Sequence, residues 1–409
     1  MKILVHHIFY RPEPIGNGTY TAEMCEWLVQ RGHAVRVVCP PPYYPQWRVQ
    51  PPFRQWRYYT EVIGGVCVTR CPLWVPRRPS GLRRILYALS FMVSSLPVVV
   101  RQTLWRPDVV FVVEPSLLNA VPSLLAAKCS GAVSWLHVQD FELDIAFKLG
   151  QVRSSLLQAL LVGFESWLLK HFDVVSTISR AMEIRLSQKG VEPRRQVLFP
   201  NWVDTTVIYP MTQPSSFRSE LGIPQATVVC LFSGTMNAKQ GVEVLIQAAC
   251  LLSSHEQIQF VLCGDGPVAA KMRGLAASLR NVRFLPLQPL NRLNDLLNLA
   301  DIHLLPQDPA VEDLVLPSKL LGMLATGRPV IAGVSPRSEV GQVVSRCGVI
   351  VPPGDPVGWA AAIESLAGDP ASRARFGAAA RQYALESLNK DLVLSQFEQD
   401  LRARLEART

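Results

Sequence analysis

The sequence has 409 residues, more than a single hydrophobic core usually serves, so two domains of roughly 200 residues each are expected. Hydrophobic residues make up 49% of the chain and charged residues 18%, which is typical of a folded globular protein and excludes a largely disordered one. Nine cysteines without Cys-x-x-Cys spacing argue against both a disulfide framework and a zinc site.

The net charge of +9 is unevenly distributed along the chain. Residues 1–210 contain 23 Lys and Arg against 14 Asp and Glu, whereas the remaining residues are balanced. An anionic membrane or acceptor is one explanation and solubility is another, and we expect no nucleic acid partner. The first residues lack the long apolar core of a secretory signal, which predicts a cytoplasmic protein.

The first half alternates apolar strands with helices. Residues 2–5 form a predicted strand, residues 10–18 a loop rich in Pro and Gly, and residues 20–31 a helix with Met24, Trp27 and Leu28 on one face. Further buried strands are predicted at 35–39, 109–113 and 132–136. This order indicates a parallel, doubly wound sheet.

The same pattern restarts in the second half. Strands are predicted at 227–232, 259–263, 302–305 and 329–332, and the Pro-containing segment between the halves places a boundary near residues 205–220. We therefore expect an N-terminal Rossmann-like domain at 1–210 and a C-terminal Rossmann-like domain at 211–385. Residues 386–409 are expected to form a helix that packs back on the N-terminal domain.

Residues 85–100 are mostly apolar, contain Pro97, and are flanked by arginines. A run of 16 residues is shorter than the roughly 20 that a membrane span needs. Two interpretations stay open: a core helix that ends near Pro97, and an interfacial segment whose arginines meet lipid headgroups. Together with the uneven charge, the segment predicts peripheral attachment to the inner face of the cell membrane.

Ligands of doubly wound sheets bind beyond the carboxyl ends of the strands, so the loops there are the candidate sites. Gly16 and Gly18 open the first predicted helix, where backbone amides favour an anion, although glycines also simply close tight loops. The chain lacks a complete Gly-x-Gly-x-x-Gly signature and a P-loop, which argues against an oxidoreductase and a triphosphatase. It also lacks Asp-x-Asp, which predicts a reaction without a metal or other cofactor.

Several motifs in the second half resemble glycosyltransferase family 4. They are, in chain order, Phe232-Ser-Gly234, Lys239-Gln-Gly241, Cys263-Gly-Asp-Gly-Pro267, Ala300-Asp-Ile-His-Leu-Leu305, Pro317-Ser-Lys319 and Thr326-Gly-Arg-Pro-Val-Ile331. The resemblance covers nearly the whole chain and implies the α/β GT-B fold, in which two Rossmann-like, doubly wound domains face each other across a cleft.

Within that family the chain looks most like the proposed fucosyltransferases of colanic acid and other exopolysaccharide clusters. The likeness rests on Pro42-Tyr-Tyr-Pro45, Leu136-His-Val-Gln-Asp-Phe141 and Pro317-Ser-Lys-Leu320. It implies a retaining hexosyltransferase that moves a sugar from a nucleotide-sugar donor to a lipid-linked saccharide acceptor. In such an enzyme the C-terminal domain, 211–385, is expected to bind the nucleotide-sugar and the N-terminal domain, 1–210, to hold the acceptor.

The sequence departs from the family at two of the places where the resemblance implies donor-binding residues. Its basic pair is replaced by Thr235 and Gln240, and its two glutamates by Leu314 and Gly322. These departures put the usual ribose and diphosphate contacts in doubt. The donor-binding candidates are therefore Gly16, Gly18, Gly234, Lys239, Gln240, Gly264, Ser318 and Lys319.

His137 and Asp140 are the catalytic candidates. Because the predicted strand ends at Leu136, His137 is expected to emerge beyond it as a free imidazole that orients a sugar hydroxyl or the acceptor. The alternative is a histidine that packs at the strand end. Two rival functions also stay open: a nucleotide-sugar epimerase of the same fold, and a non-catalytic assembly partner.

Overall fold

The computed structural model describes residues 1–13, 16–77, 81–148, 154–237, 240–308 and 317–407. Its contacts divide the chain into two compact units, Met1–Pro200 with Leu394–Thr409, and Asn201–Val393. The first unit thus ends before the predicted boundary at residue 210. The segment after Pro200 joins the second unit because the backbone N–H groups of Tyr209 and Met211 donate to the side chains of Asn294 and Asn298, at 3.0 and 2.9 Å.

The described part of the first unit contains eight strands: β1 (Lys2–His6), β2 (Ala34–Cys39), β3 (Tyr59–Ile63), β4 (Val66–Arg70), β5 (Val109–Glu114), β6 (Val133–Val138), β7 (Val174–Thr177) and β8 (Gln196–Leu198). They form one sheet in the order β3-β4-β2-β1-β5-β6-β7-β8, and the neighbouring strands are parallel except for β3 and β4. Every residue of β5 and β6 is buried, as is expected when helices cover both faces of a parallel sheet.

The connecting helices of this unit are α1 (Gly16–Gln30), α2 (Gly81–Gln102), α3 (Ala120–Ser130), α4 (Glu142–Lys148), α5 (Ser155–His171) and α6 (Arg180–Gln188). Strands β3 and β4 form a hairpin that the sequence analysis missed. Its two turn residues, Gly64 and Gly65, have φ angles of 57° and 80°, the left-handed backbone that a two-residue hairpin turn requires.

Helix α2 is longer than predicted, because it continues through Pro97 to Gln102. Tyr87, Phe91 and Val99 on its inner face are buried in the core, which holds the helix together on both sides of the proline. Its outer face is apolar and exposed. Of the helices that the structure describes, one, Arg83–Trp105, is long and apolar enough to cross a membrane by length and composition alone.

The second unit repeats the architecture with a sheet of six described strands: β9 (Val228–Ser233), β10 (Ile258–Cys263), β11 (Val282–Leu285), β12 (Ile302–Pro306), β13 (Val330–Gly333) and β14 (Gly348–Val351). Their order is β11-β10-β9-β12-β13-β14, and all pairs are parallel. The chain runs outward from β9 in one direction and then returns to β12 on its other side. The strand order therefore reverses between β9 and β12.

Its helices are α7 (Ser216–Glu220), α8 (Glu243–Leu251), α9 (Ala269–Leu275), α10 (Leu293–Leu297), α11 (Ser318–Ala325), α12 (Glu339–Cys347), α13 (Pro356–Gly368) and α14 (Pro370–Ser387). The last helix, α15 (Lys390–Glu406), belongs to the first unit from Leu394 onward. There Phe397 stacks on Phe199, with ring centroids 4.0 Å apart. Large buried rings, including Phe232, Phe260 and Trp359, fill the core of the second unit.

Candidate active site

The loops after β9 and β10 meet at the carboxyl end of the second sheet, beside the reversal of strand order between β9 and β12 where doubly wound sheets bind ligands. The backbone N–H of Gly234 donates to the carbonyl of Cys263 at 3.0 Å, and the N–H of Met236 donates to the carbonyl of Asp265 at 2.9 Å. These two bonds extend the sheet pairing beyond the strands. The predicted donor residues Gly234 and Gly264 are thereby brought together.

Glycine is required at Gly264 by the close approach of the two loops. Its φ is 142°, and a Cβ there would lie 2.0 Å from the carbonyl oxygen of Gly234. Gly266 repeats the arrangement, with a φ of 153° and a Cβ position 2.3 Å from the carbonyl oxygen of Met236. The glycines therefore allow a bare backbone surface at the end of the sheet, which a phosphate can approach closely.

Lys319, in the first turn of α11, points to these loops. Its Nζ donates a hydrogen bond to Oε1 of Gln240 and lies 4.6 Å from the centroid of the Phe232 ring. Its Cδ lies 3.5 Å from the position that a Cβ of Gly234 would occupy. The structure thus brings together Gly234, Gln240 and Lys319. Phe232 was not among the predicted site residues, although its position near the end of β9, just before Ser233-Gly234, was the available signal.

Helix α11 adds a second source of positive potential. Its first residue, Ser318, is exposed, and the preceding Pro317 makes no side-chain cap. The first N–H groups of a helix have no partner within the helix, and the helix dipole favours an anion there. Ser318 and Lys319 therefore combine a helix N-terminus with an amine, a combination suited to a diphosphate.

Burial lowers the pKa of Lys319 to about 7, because the charged form of the amine loses solvation among Phe232 and the glycine loops. Gln240 offers it a neutral oxygen rather than a carboxylate. A bound anion would favour the charged form and raise this pKa again. The site is therefore built to take up negative charge.

The predicted candidate Lys239 lies outside the described residues, as does Leu314 at the position of the first missing glutamate. Thr235, at the other departure from the basic pair, is exposed. Gly322 lies inside α11, where a Cβ would come 3.1 Å from Cδ1 of Leu297. A side chain at this position would require Leu297 to shift by a few tenths of an ångström. The described residues contain no cluster of three or more metal-ligating side chains, and cofactor independence stays a prediction.

In the first unit, Gly16 is exposed and begins α1, and Gly18 is buried in its first turn. A Cβ on Gly18 would lie 3.1 Å from Cβ of Phe9, so Gly18 lets the helix approach the loop that follows β1. This packing accounts for Gly18 structurally. Donor contact by Gly16 and Gly18 stays a prediction.

The expectation of a free imidazole at His137 is wrong. The strand does not end at Leu136, because β6 continues to pair with β5 and β7 through His137 and Val138. The ring is buried, with its Nδ1 hydrogen-bonded to Oγ of Ser176 at 2.8 Å and its Nε2 to Nε2 of Gln139 at 2.9 Å. Burial lowers its pKa to about 3, so the ring is neutral at pH 7.

Asp140 lies just beyond β6, where its backbone carbonyl accepts from the N–H of Glu142 at 3.1 Å. His6 is the last residue of β1, and His7 follows it. Both are buried and neutral, because burial lowers their pKa values to about 3. His6 bonds Ser123 and His7 bonds Thr21, at 2.8 and 3.1 Å. The histidines near this sheet edge are therefore packed groups in the described structure.

Comparison with known proteins agrees with this geometry. Residues 16–202 match the family described as Glycosyl transferase 4-like domain, and residues 227–369 match Glycosyl transferases group 1. The putative colanic acid biosynthesis glycosyl transferase WcaI of Escherichia coli is 39% identical, over 98% of this chain and 100% of that protein. The chain belongs to glycosyltransferase family 4. This family 4 glycosyltransferase is therefore an enzyme that transfers a sugar.

Solved structures show the same fold as this family 4 glycosyltransferase. Sucrose-phosphate synthase of Thermosynechococcus elongatus is 18% identical, with a TM-score of 0.77 over 99% of both chains. HepE of Anabaena, solved with UDP-glucose, is 17% identical, with a TM-score of 0.70 over 98% of this chain and 100% of that one. The predicted two-domain α/β GT-B fold with parallel sheets is confirmed.

Proposed function

We propose that the enzyme transfers a sugar, with fucose as the first candidate, from a nucleotide-sugar to a lipid-linked saccharide during exopolysaccharide assembly. The observation that carries the proposal is the contact of Lys319 with Gln240 and Phe232 beside the glycine loops. The name of the Escherichia coli relative supports a role in colanic acid or a related polysaccharide, and the HepE complex supports a nucleotide-sugar donor.

In the proposed reaction the acceptor hydroxyl attacks the anomeric carbon from the side of the leaving diphosphate, so that the configuration is retained. The bond between that carbon and the diphosphate oxygen breaks as the new glycosidic bond forms. The departing diphosphate accepts the proton of the hydroxyl. Lys319 and the N–H groups at the start of α11 stabilise its charge, which takes the place of a metal.

The first test is thermal denaturation of the protein with a panel of nucleotide-sugars that includes GDP-fucose, in buffer with EDTA. A ligand that binds only the folded state raises the melting temperature. We expect one donor to do so at full strength in EDTA. A donor that needs added magnesium would contradict metal-independent binding, and no response from the whole panel would favour the non-catalytic assembly partner.

Product analysis separates transfer from epimerisation. The donor that binds is incubated with the enzyme, with and without a lipid extract of polysaccharide-producing cells. We expect release of the nucleoside diphosphate to depend on the lipid extract. Interconversion of the free nucleotide-sugar without lipid would instead identify an epimerase.

We also propose that the enzyme binds the cytoplasmic face of the membrane through α2. The outer side chains of this helix are exposed, including Val93 at 63% and the nearby Leu104 at 84%. Tyr87, Phe91 and Val99 on the inner side are buried in the domain core, so a transmembrane orientation would require that core to open. Arg83 and Arg84 in the first turn of α2, Arg101 in its last turn and Arg77 shortly before it are exposed and suit anionic headgroups.

Co-sedimentation with liposomes tests the location. Binding should require anionic lipid, weaken in high salt, and fall when Arg77, Arg83 and Arg84 are changed to Gln. The apolar contribution is tested with a variant in which Val93, Leu96 and Leu104 are changed to Gln. The control variant changes three exposed leucines of the second unit to Gln: Leu251, Leu287 and Leu290. Binding that is indifferent to lipid charge, salt and the first two sets, or equally affected by the control set, would contradict attachment through α2.

A further inference from the structure

A cluster of five aromatic side chains lies at the carboxyl edge of the first sheet. Phe9 follows β1, Tyr43, Tyr44 and Trp47 follow the neighbouring strand β2, and Tyr87 comes from α2. Their rings form a continuous set: the centroids of Trp47 lie 5.8 Å from Tyr43, 6.4 Å from Tyr44 and 5.6 Å from Tyr87. Phe9 stacks on Tyr43, with centroids 5.9 Å apart and planes 22° apart. We define these five residues as the aromatic platform.

The platform has a buried base and an exposed upper side. Tyr43 and Tyr87 are buried and joined through their hydroxyl groups by a hydrogen bond. Tyr44 is 39% exposed, and Phe9 and Trp47 are partly exposed. Here three rings keep surface available to a ligand.

Hydrogen bonds to Glu13 hold the loop that carries the aromatic platform. Oε1 of Glu13 accepts hydrogen bonds from the backbone N–H groups of Tyr43 and Tyr44, at 2.7 and 2.8 Å. Trp47 adopts a φ of 52°, a left-handed conformation that is strained for a bulky side chain. Such strain persists where the surrounding structure imposes it, and it is concentrated at ligand sites. The strained residue here is the one whose ring contacts three others of the platform.

We propose that Phe9, Tyr44 and Trp47 form a stacking site for a pyranose ring of the acceptor saccharide. A pyranose presents an apolar face of C–H groups and a rim of hydroxyls, and aromatic rings with polar neighbours match both. The exposed Gln46 and Arg48 lie in the same loop and supply hydrogen-bonding groups to such a rim. A lipid tail would leave these polar groups without a partner, and a saccharide uses both the rings and the polar groups.

The neighbourhood of α2 strengthens this assignment, which rests on the proposed function for its acceptor. Tyr87, in the base of the platform, lies on the inner side of the helix whose outer face we propose for lipid. The hydroxyl of Tyr58, from the same loop region, donates to the carbonyl of Ser94 on α2 at 2.9 Å. A saccharide on a lipid anchored beside α2 would therefore find the platform next to it.

The test is saturation-transfer NMR with methyl and octyl glycosides of glucose, galactose, mannose and fucose, the octyl compounds kept below micelle concentration. We expect saturation of ring protons of at least one sugar with both aglycones, and affinity weakened about fivefold or more in Tyr44→Ala. Trp47→Gly removes the ring but suits the positive φ, so it should lose binding with the fold intact. Tyr209→Ala removes a ring of similar exposure, 46%, from the second unit and should change nothing.

Three results would overturn the proposal. They are saturation of alkyl protons alone, saccharide affinity in Trp47→Gly and Tyr44→Ala equal to that of the unmodified enzyme, and no saccharide signal from the whole panel. Donor binding is measured on the same variants by titration with the nucleotide-sugar that binds the unmodified enzyme. It should be unchanged in all of them. Failure of every donor to bind would overturn the proposed function, while the saccharide signals would still decide the platform separately.

Discussion

Replacing Lys319 by Met removes the amine of the candidate donor site and keeps the length of its stem. A hydrogen bond to a charged group contributes about 2 kcal/mol, so the variant should bind the donor diphosphate about 30-fold more weakly. The fold should not suffer. Burial lowers the pKa of Lys319 from 10.5 to about 7, which means that its charged form destabilises the folded protein.

The sign of this effect sets two pH dependences. The destabilisation is complete below pH 7 and fades between pH 7 and 10.5, so Lys319→Met should be more stable than the unmodified enzyme at pH 6 and lose that advantage as the pH rises. Donor binding needs the protonated amine. The affinity of the unmodified enzyme should therefore fall above pH 7, by at most about tenfold per unit, whereas the variant should show no such slope.

Calorimetric titration of the donor between pH 7 and 9 measures both predictions for binding, and urea denaturation measures the stability. The control is Lys271→Met, because Lys271 is exposed and paired with Glu243 at the surface. Donor affinity in Lys319→Met equal to that of the control, or the same pH slope in both variants, would refute the role of Lys319.

Three further substitutions test other parts of the structure by urea denaturation. Gly264→Ala places a Cβ against the carbonyl of Gly234 and should lower the free energy of unfolding by about 3 kcal/mol. The control Gly274→Ala, with open space around it in α9, should be neutral or stabilising. Equal effects of the two substitutions would contradict the described loop contact. His137→Ala should lower the free energy of unfolding by about 3 kcal/mol through lost ring packing and hydrogen bonds. The same substitution at the partly exposed His255 should lower it by less than about 1 kcal/mol. Unchanged stability of His137→Ala would support an exposed, catalytic imidazole instead. Lys189→Met leaves the buried carboxylates of Asp144 and Glu165 without their shared amine and should cost about 3–5 kcal/mol, while Lys128→Met on the surface of α3 should cost little; a small loss at Lys189 would show that this buried network is solvated.

The sequence predicted those strands that carry uninterrupted apolar residues. Residues 109–113 and 259–263 correspond to β5 and β10, which are buried over nearly their whole length. The hairpin of β3 and β4 was missed because neither strand is a continuous apolar run: β3, at the edge of the sheet, has no buried residue, and β4 alternates between buried and half-buried residues. Gly64-Gly65 between two strand-like segments was the available signal.

The candidate site was predictable in part, for a physical reason. Gly234 follows β9 and Lys319 lies in the first turn of α11, and the ends of parallel strands meet at one edge of a sheet. The environment of His137 was not predictable in this way. Its partner Ser176 lies on β7, 39 residues away, and the extent of a strand depends on neighbours that local periodicity does not reveal.

The proposed enzyme couples donor cleavage to sugar transfer onto a lipid-linked saccharide. The most direct measurement follows a nucleotide-sugar labelled in its sugar, incubated in EDTA with the enzyme and a lipid extract from polysaccharide-producing cells. The label should move into the organic phase in a one-to-one ratio with nucleoside diphosphate release, keep its anomeric configuration, and do so far more slowly with Lys319→Met. Diphosphate release without labelled lipid, an inverted linkage, or no release with any donor would contradict the account.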